Sequence, residues 1–345
     1  MQANFSNKLL SLAFIMILII ATGFTVLRIP MVSSQETLLH SHKVSGDLPV
    51  TDPESGIWWN TIPLQVPLSA QTTTPPKLLE SSIRAVTVRS LNNGTWIMFL
   101  LEWNDATINN STTRTEDFRD SAAIQIPPSQ APPYVCMGQQ DVAVNIWHWK
   151  ADWQADINTV FHDVEQTYPN FWVDYYPHAI GGPPYTVPTS FPPEIRNLTS
   201  AGWAVGNPLS NPLKLSPVED LIAGGFGTLT TQSQQNVMGR GVWKDGKWHV
   251  VFARPLQTDD STDAQLRPGE QPSVAFAIWD GANKEVDGRK SISAWLTLGI
   301  DETGPPLIPL HLVDPVRAAA VLVLILVIAI VAFSIMSKPK EEKAE

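Results

Sequence analysis

Met137 lies in the stretch Ala131 to Gln154, APPYVCMGQQDVAVNIWHWKADWQ, just after a Pro-Pro break and just before an apolar, tryptophan-rich segment. Its thioether is a soft, neutral donor that can ligate iron, favouring the ferrous state and raising the reduction potential. A methionine alone is more often a filler of irregular core space. The surroundings set this one apart, because a sulfur donor beside Trp147, Trp149 and Trp153 suits a buried planar cofactor. Other chemistry is absent. There is no nucleophile elbow, no HExxH and no Gly-rich phosphate loop, so hydrolase and nucleotide-binding readings have no residues to stand on. One cysteine, Cys136, excludes an internal disulfide framework and cannot by itself build a zinc or iron–sulfur site. A net charge of -10 with 16% charged residues argues against a nucleic-acid partner, which would need clustered Lys and Arg.

The 345 residues are enough for a full core and divide by composition. Residues 1–33 contain the apolar run Leu9 to Leu27, preceded by Lys8, and read as a signal peptide or signal anchor. Residues 34–56 are polar and aperiodic, a stalk. Residues 57–300 form the main domain, with an irregular, Pro-rich insertion over about 158–240 expected to be ordered and to cover a site. A Pro-rich linker, 301–317, leads to Ala318 to Met336, an uncharged run long enough to span a bilayer as a helix. The tail 337–345 carries Lys338, Lys340 and Lys343, which places it in the cytoplasm and the main domain outside the membrane. Acceptor sequons at Asn93, Asn109, Asn110 and Asn197 fit an outside location.

Within the domain the patterning is that of short strands. A first strand is expected in Ile57 to Pro67, and Ala85 to Trp103 reads as a hairpin about an Asn-Gly turn. Ser121 to Ile126 is a further strand. In AVNIWHWKADW, alternation puts Ile146, His148 and Lys150 on one face and Trp147 and Trp149 on the other. Gly241 to Leu256 reads as a hairpin with an Asp-Gly turn, and Ser273 to Trp279 and Ser291 to Gly299 complete the set. With almost no amphipathic helix, these segments predict a mainly β fold, an antiparallel β-sandwich flanked by the two hydrophobic ends.

Three blocks, CMGQQDVAVNIWHWKADWQ, VVFARPL and SVAFAIWDGANKEVDGRKSISAWLTL, resemble the haem b-binding subunit of ethylbenzene dehydrogenase and its relatives. Those are the γ subunits of type II dimethyl-sulfoxide-reductase-family molybdoenzymes, and the resemblance covers roughly Ile57 to Ile300. It implies a β-sandwich holding one non-covalent haem b, with Met and Lys as axial ligands. By position the Met is Met137 and the Lys is Lys290, in GRKSISAW. Lysine ligation requires the neutral amine, which burial beside ferric iron favours. Lys284 is the competing lysine. If this pair is not the ligand set, His148 or His162 with Met137 is the alternative, since histidine is the default haem ligand. His249 sits in a strand, His178 falls in the insertion, and His40, His42 and His311 fall in stalk or linker. Arg254 shares a strand face with Val250 and Phe252 and could pair with a haem propionate. Trp147, Trp149, Trp153 and Trp279 could pack on the porphyrin or fill the core.

The hydrophobic C terminus and long insertion depart from the soluble γ subunits and resemble glycosylated, membrane-anchored ectocytochromes b of archaea. Two roles follow: the electron-transfer subunit of a complex with molybdopterin and iron–sulfur subunits, or a stand-alone surface cytochrome exchanging electrons with a quinol-linked or soluble partner. In neither does the chain itself perform substrate chemistry. A third reading, from a different class, is a non-haem carbohydrate- or partner-binding module using its tryptophans as a stacking platform.

Overall fold

The computed structural model describes residues 38–304 apart from 129–131, 134–136, 140–141, 160, 163–166, 169, 171–201, 203–204 and 212–213. The two hydrophobic ends, most of the insertion, and with them Cys136, His178, Asn197 and His311, lie outside the described residues. Among those residues no helix is long and apolar enough to cross a membrane.

In chain order the elements are β1 (Leu38–Lys43), a 3₁₀ turn (Gly56–Asn60), β2 (Leu64–Pro67), β3 (Ser69–Ala70), β4 (Ala85–Asn92), β5 (Trp96–Asn104), β6 (Ser121–Ile126) and β7 (Val144–Lys150). They continue with α1 (Ala151–Asn158), β8 (Val218–Ala223), β9 (Thr230–Thr231), β10 (Met238–Lys244), β11 (Lys247–Pro255), β12 (Ser273–Trp279), β13 (Ser291–Ile292) and β14 (Leu296–Ile300). Among the described residues fourteen strands join one sheet, whose main path is β10-β11-β5-β4-β1-β14-β12-β6-β7-β8-β9. The sheet doubles back where β12 leaves β14, and the two halves share a core. Phe99 of β5 meets Trp147 of β7 edge-on at 5.9 Å, and Trp149 of β7 meets Trp248 of β11 at 4.9 Å. Burying each such ring contributes about 1.5–3 kcal/mol, and the edge-on geometry suits the ring quadrupoles. Packing is tight enough that a Cβ on Gly241 would come within 2.2 Å of the Trp149 ring.

Both hairpins occur where the turn residues predict them. Asn92 pairs with Ile97 across a short loop in which the Asn93 Oδ1 accepts from the Thr95 and Trp96 amides. Asp245 and Gly246 take φ of 53° and 76°, the paired left-handed values of a type I′ turn.

Five expectations need correction. The sheet is mixed, not antiparallel: β1 runs parallel to both β14 and β4 and sits between them. The same strand corrects the stalk, because Leu38–Lys43 is a central strand with Leu39, Ser41 and His42 buried. Its sequence LLHSHK lacks apolar alternation since polar groups do the pairing. His42 Nδ1 meets Asp301 Oδ2 at 3.1 Å, and Asn92 Nδ2 donates to the Ser41 carbonyl at 2.7 Å. The expected first strand is split, with Trp58 and Trp59 in the 3₁₀ turn and only Leu64–Pro67 extended. Finally, the β7 strand stops at Lys150 and the chain enters α1, where Asp152 in the first turn complements the helix dipole and pairs with Arg119 at 2.8 Å. The insertion is also shorter than expected, because strand pairing resumes at Val218 and β8 continues the ladder beside β7.

Candidate functional site

Two loops bring the site together over the face of β6, β7 and β12 that turns away from the shared core. The first carries Met137. Its backbone adopts φ 71°, followed by Gly138 at 81°, so two consecutive residues are left-handed. For a residue with a Cβ this costs about 1–2 kcal/mol, and such strain persists only where neighbours enforce it. Here they do: Gln125 Oε1 accepts from the Met137 amide at 3.1 Å, and Trp295 Nε1 donates to the Pro133 carbonyl at 3.1 Å. Glycine is required at position 138, because a Cβ there would lie 2.6 Å from the Ala223 carbonyl oxygen.

The second loop leads from β12 to β13 and carries Lys290. Trp279 Nε1 donates to the Asp287 carbonyl at 3.1 Å, Gln71 Nε2 donates to the Gly288 carbonyl at 2.8 Å, and the Gln71 amide donates to the Lys290 carbonyl at 2.9 Å. The lysine is 7% exposed, with its Nζ 4.9 Å from the Trp279 ring centre. Across the gap Lys290 Nζ donates to Met137 Sδ at 3.6 Å, joining residues 153 apart in the chain.

Both side chains line a cavity of about 620 Å³, within the usual 300–1,000 Å³ of cofactor and ligand sites. Ile146, Leu221, Phe118, Phe226 and Trp279 give it apolar walls, while Arg114 and Arg119 stand among its polar residues. His148 also faces it, stacked on Trp279 at 4.8 Å and 26°. Its imidazole is held well below its ordinary pKa, first by burial and then by the charges of Lys150, Arg119 and Lys290, and is therefore neutral. The His148 Nε2 is sealed from water with no hydrogen-bond partner among the described residues.

These residues fit an iron cofactor that would be held by one sulfur and one nitrogen donor. One thioether and one amine converge in a cavity of suitable size, and the alternation that faces Ile146 and His148 toward it turns Trp147 and Trp149 into the core. Lys284 is exposed in the loop after β12, and His162 is bound to Asp156 at 3.0 Å, outside the cavity. His249 pairs with Glu102 at 3.1 Å. Asn93 and Asn109 are half-buried and Asn110 is exposed.

Arg254 and Trp147 do not line this cavity, which corrects their expected cofactor contacts. Both are fully buried between the halves of the sheet. Arg254 Nη1 donates to Asn145 Oδ1 at 2.8 Å and lies 3.2 Å from Asp263 Oδ1, its guanidinium 4.8 Å from the Trp147 ring centre. The face shared with Val250 and Phe252 points into the core. Arg114 and Arg119, in a loop without strand or helix period, carried no sequence signal beyond their charge. Arg119 already pairs with Asp152, and Arg114 with Asp117 at 2.9 Å.

Within the same core network the Asp220 carboxyl is pushed up to about 8 by burial and by Asp263. Its pKa in the folded chain thus exceeds that in the unfolded chain, so the stability it contributes is full below about pH 4 and is lost as pH rises toward 8. Asp220→Asn keeps an amide where the neutral acid stands. It is expected to remove part of that decline and stabilise the protein at pH 8 by on the order of 1–2 kcal/mol, read from chemical denaturation at pH 5 and pH 8. An unchanged slope between those pH values would contradict the assignment.

A family model described as Ethylbenzene dehydrogenase matches residues 55–179 and 189–291. A Haloferax mediterranei protein provisionally named respiratory nitrate reductase heme subunit ORF7 is 25% identical over 252 residues, covering 72% of this chain and 68% of that one. The chlorate reductase subunit gamma of Ideonella dechloratans is 25% identical, covering 56% of this chain and 55% of its own. The dimethylsulfide dehydrogenase subunit gamma of Rhodovulum sulfidophilum is 26% identical, with 56% and 51% covered. The chain therefore spans about two thirds of the first relative and about half of the other two.

Proposed function

The chain belongs to the ethylbenzene dehydrogenase family, and on that premise we propose that it is the haem b subunit of an extracytoplasmic molybdoenzyme complex, carrying electrons and performing no substrate chemistry. The observation that carries the reading is the convergence of Met137 Sδ and Lys290 Nζ to 3.6 Å in the 620 Å³ cavity. Bound haem would supply one-electron exchange at iron. This chain's residues supply the rest. Met137 and Lys290 would hold the iron from two loops fixed by Gln125, Gln71 and Trp279. Trp279 and Phe118 would keep water from the cofactor, and Arg114 and Arg119, which also line the cavity, would offer guanidinium groups to its carboxylates. A neutral thioether favours the ferrous state, so the site suits a carrier of fairly high potential.

The names of the relatives, heme and gamma subunits of nitrate, chlorate and dimethylsulfide enzymes, support molybdopterin and iron–sulfur subunits as its partners. In the same reading the domain is a haem-binding β-sandwich outside the membrane, tethered by Ala318 to Met336, with the Pro-rich insertion forming a docking face. The test is an optical spectrum of the full-length chain produced with adequate haem. A Soret band and a pyridine haemochrome giving one haem b per chain are expected. A chain that folds without a Soret band would turn the reading down in favour of a haem-free binding module.

A further inference from the structure

At the far end of β12 from β14, three carboxylates gather away from the cavity's donor pair. Asp105 follows β5, Asp120 precedes β6 and Asp280 follows β12, and a carboxylate oxygen of each lies within 4.8 Å of the others. Asp120 is fully buried and Asp105 is 6% exposed, while Asp280 is half-buried at the rim. None of the three forms a salt bridge with a cationic side chain among the described residues. Asp120 accepts from the Asn109 amide at 2.8 Å, the Gly281 amide at 2.9 Å and Trp248 Nε1 at 3.1 Å. Asp105 uses one oxygen for the Thr107 amide at 3.1 Å, but its Oδ2 is sealed from water and has no hydrogen-bond partner among the described residues.

An unpaired carboxylate oxygen buried next to two further carboxylates is costly unless a positive charge offsets it. We propose that Asp105, Asp120 and Asp280 bind one calcium ion. The donors are all oxygen, without His or Cys, which selects a hard cation. Calcium takes oxygen ligands at about 2.3–2.6 Å, so ligands of one ion lie up to about 4.6–5.2 Å apart, a span that contains these three oxygens, and it accepts an irregular ligand set where magnesium demands a near-ideal octahedron. A single proton shared by Asp105 and Asp120 would relieve two of the carboxylates and leave the third. The ion would tie β5, in one half of the sheet, to β6 and β12 in the other, and its rim ligand Asp280 adjoins Trp279 of the cavity wall.

The test takes the full-length chain, stripped with chelator, and adds calcium chloride at millimolar concentration. Titration calorimetry should give one site, and the melting temperature should rise by about 5 °C or more. Asp280→Asn, at the half-buried position where folding is least at risk, should weaken binding at least tenfold. No calcium response in the stripped chain, a response to magnesium or manganese but not calcium, or an undiminished response in Asp280→Asn would each overturn the assignment. These readouts do not depend on haem, so they stand or fall apart from the proposed cytochrome function.

Discussion

Met137→Ala is expected to lower the haem midpoint potential by on the order of 100 mV, or to leave a high-spin, water-ligated ferric species, while haem still binds. Axial ligand identity moves haem potentials over roughly 0.8 V, and loss of a thioether removes the donor that favours ferrous iron. The substitution also replaces a β-carbon side chain at φ 71° by a smaller one without relieving the backbone, so the Gln125 and Trp295 tethers should keep the loop in place. Lys290→Ala is the partner experiment. It removes the nitrogen donor from the opposite loop, and the ferric spectrum should change even though Gln71 binds that loop through backbone groups that alanine keeps. Potentiometric titration and ferric and ferrous spectra of both variants check the pair. If haem is bound and neither substitution changes any spectrum, the ligand set is wrong. His148, which lines the same cavity and whose Nε2 has no hydrogen-bond partner among the described residues, is then the residue to replace next, ahead of His162, which is engaged by Asp156.

Much of this was legible in the sequence because local chemistry decided it. The Asn-Gly and Asp-Gly turns fixed two hairpins, and period-two alternation separated Ile146 and His148 from Trp147 and Trp149, but did not decide which face meets the cavity: Trp147, expected at the cofactor, is core. The pairing of Met137 with Lys290 was not a local matter. Only the resemblance to a family joined residues so far apart, and the geometry brings them into contact independently. What escaped was polar or non-local. Strand β1 hides in LLHSHK because Leu39 is its one fully buried apolar side chain, while buried His42 binds Asp301 and the Ser41 carbonyl accepts from Asn92. A parallel pairing with β14, at the other end of the domain, leaves no trace in a short window. The three carboxylates of the calcium proposal come from separate strand ends and show no spacing motif. Arg254 is the instructive case, since its strand face is compatible with a propionate partner, whereas the guanidinium is fully buried on protein partners.

Arg254→Ala should therefore destabilise the fold severely while leaving the spectrum of the folded fraction alone. The guanidinium is fully buried and serves Asn145 Oδ1, the Ala264 carbonyl and Asp263, the last at 3.2 Å, beneath the Trp147 ring. Burial draws its pKa down and Asp263 draws it up, so the arginine stays charged because its carboxylate neighbours hold it so. Without it Asp263 is left buried with no cation beside it, and Asp220 nearby is already pushed up to about 8. Breaking a buried pair on one side costs about 3–5 kcal/mol, a large part of a domain's stability. The cost comes from the stranded charge, so the double variant Arg254→Met, Asp263→Leu should recover most of it, whereas Arg254→Met alone should not. Denaturant midpoints of the three variants measure this, with the haem spectrum recorded below each transition. A propionate partner would behave differently: its loss would shift the haem potential or weaken haem retention at modest cost to the fold, and the Asp263 substitution would rescue nothing. That second pattern is expected instead for Arg119→Ala, because Arg119 stands at the cavity with its one carboxylate partner on α1.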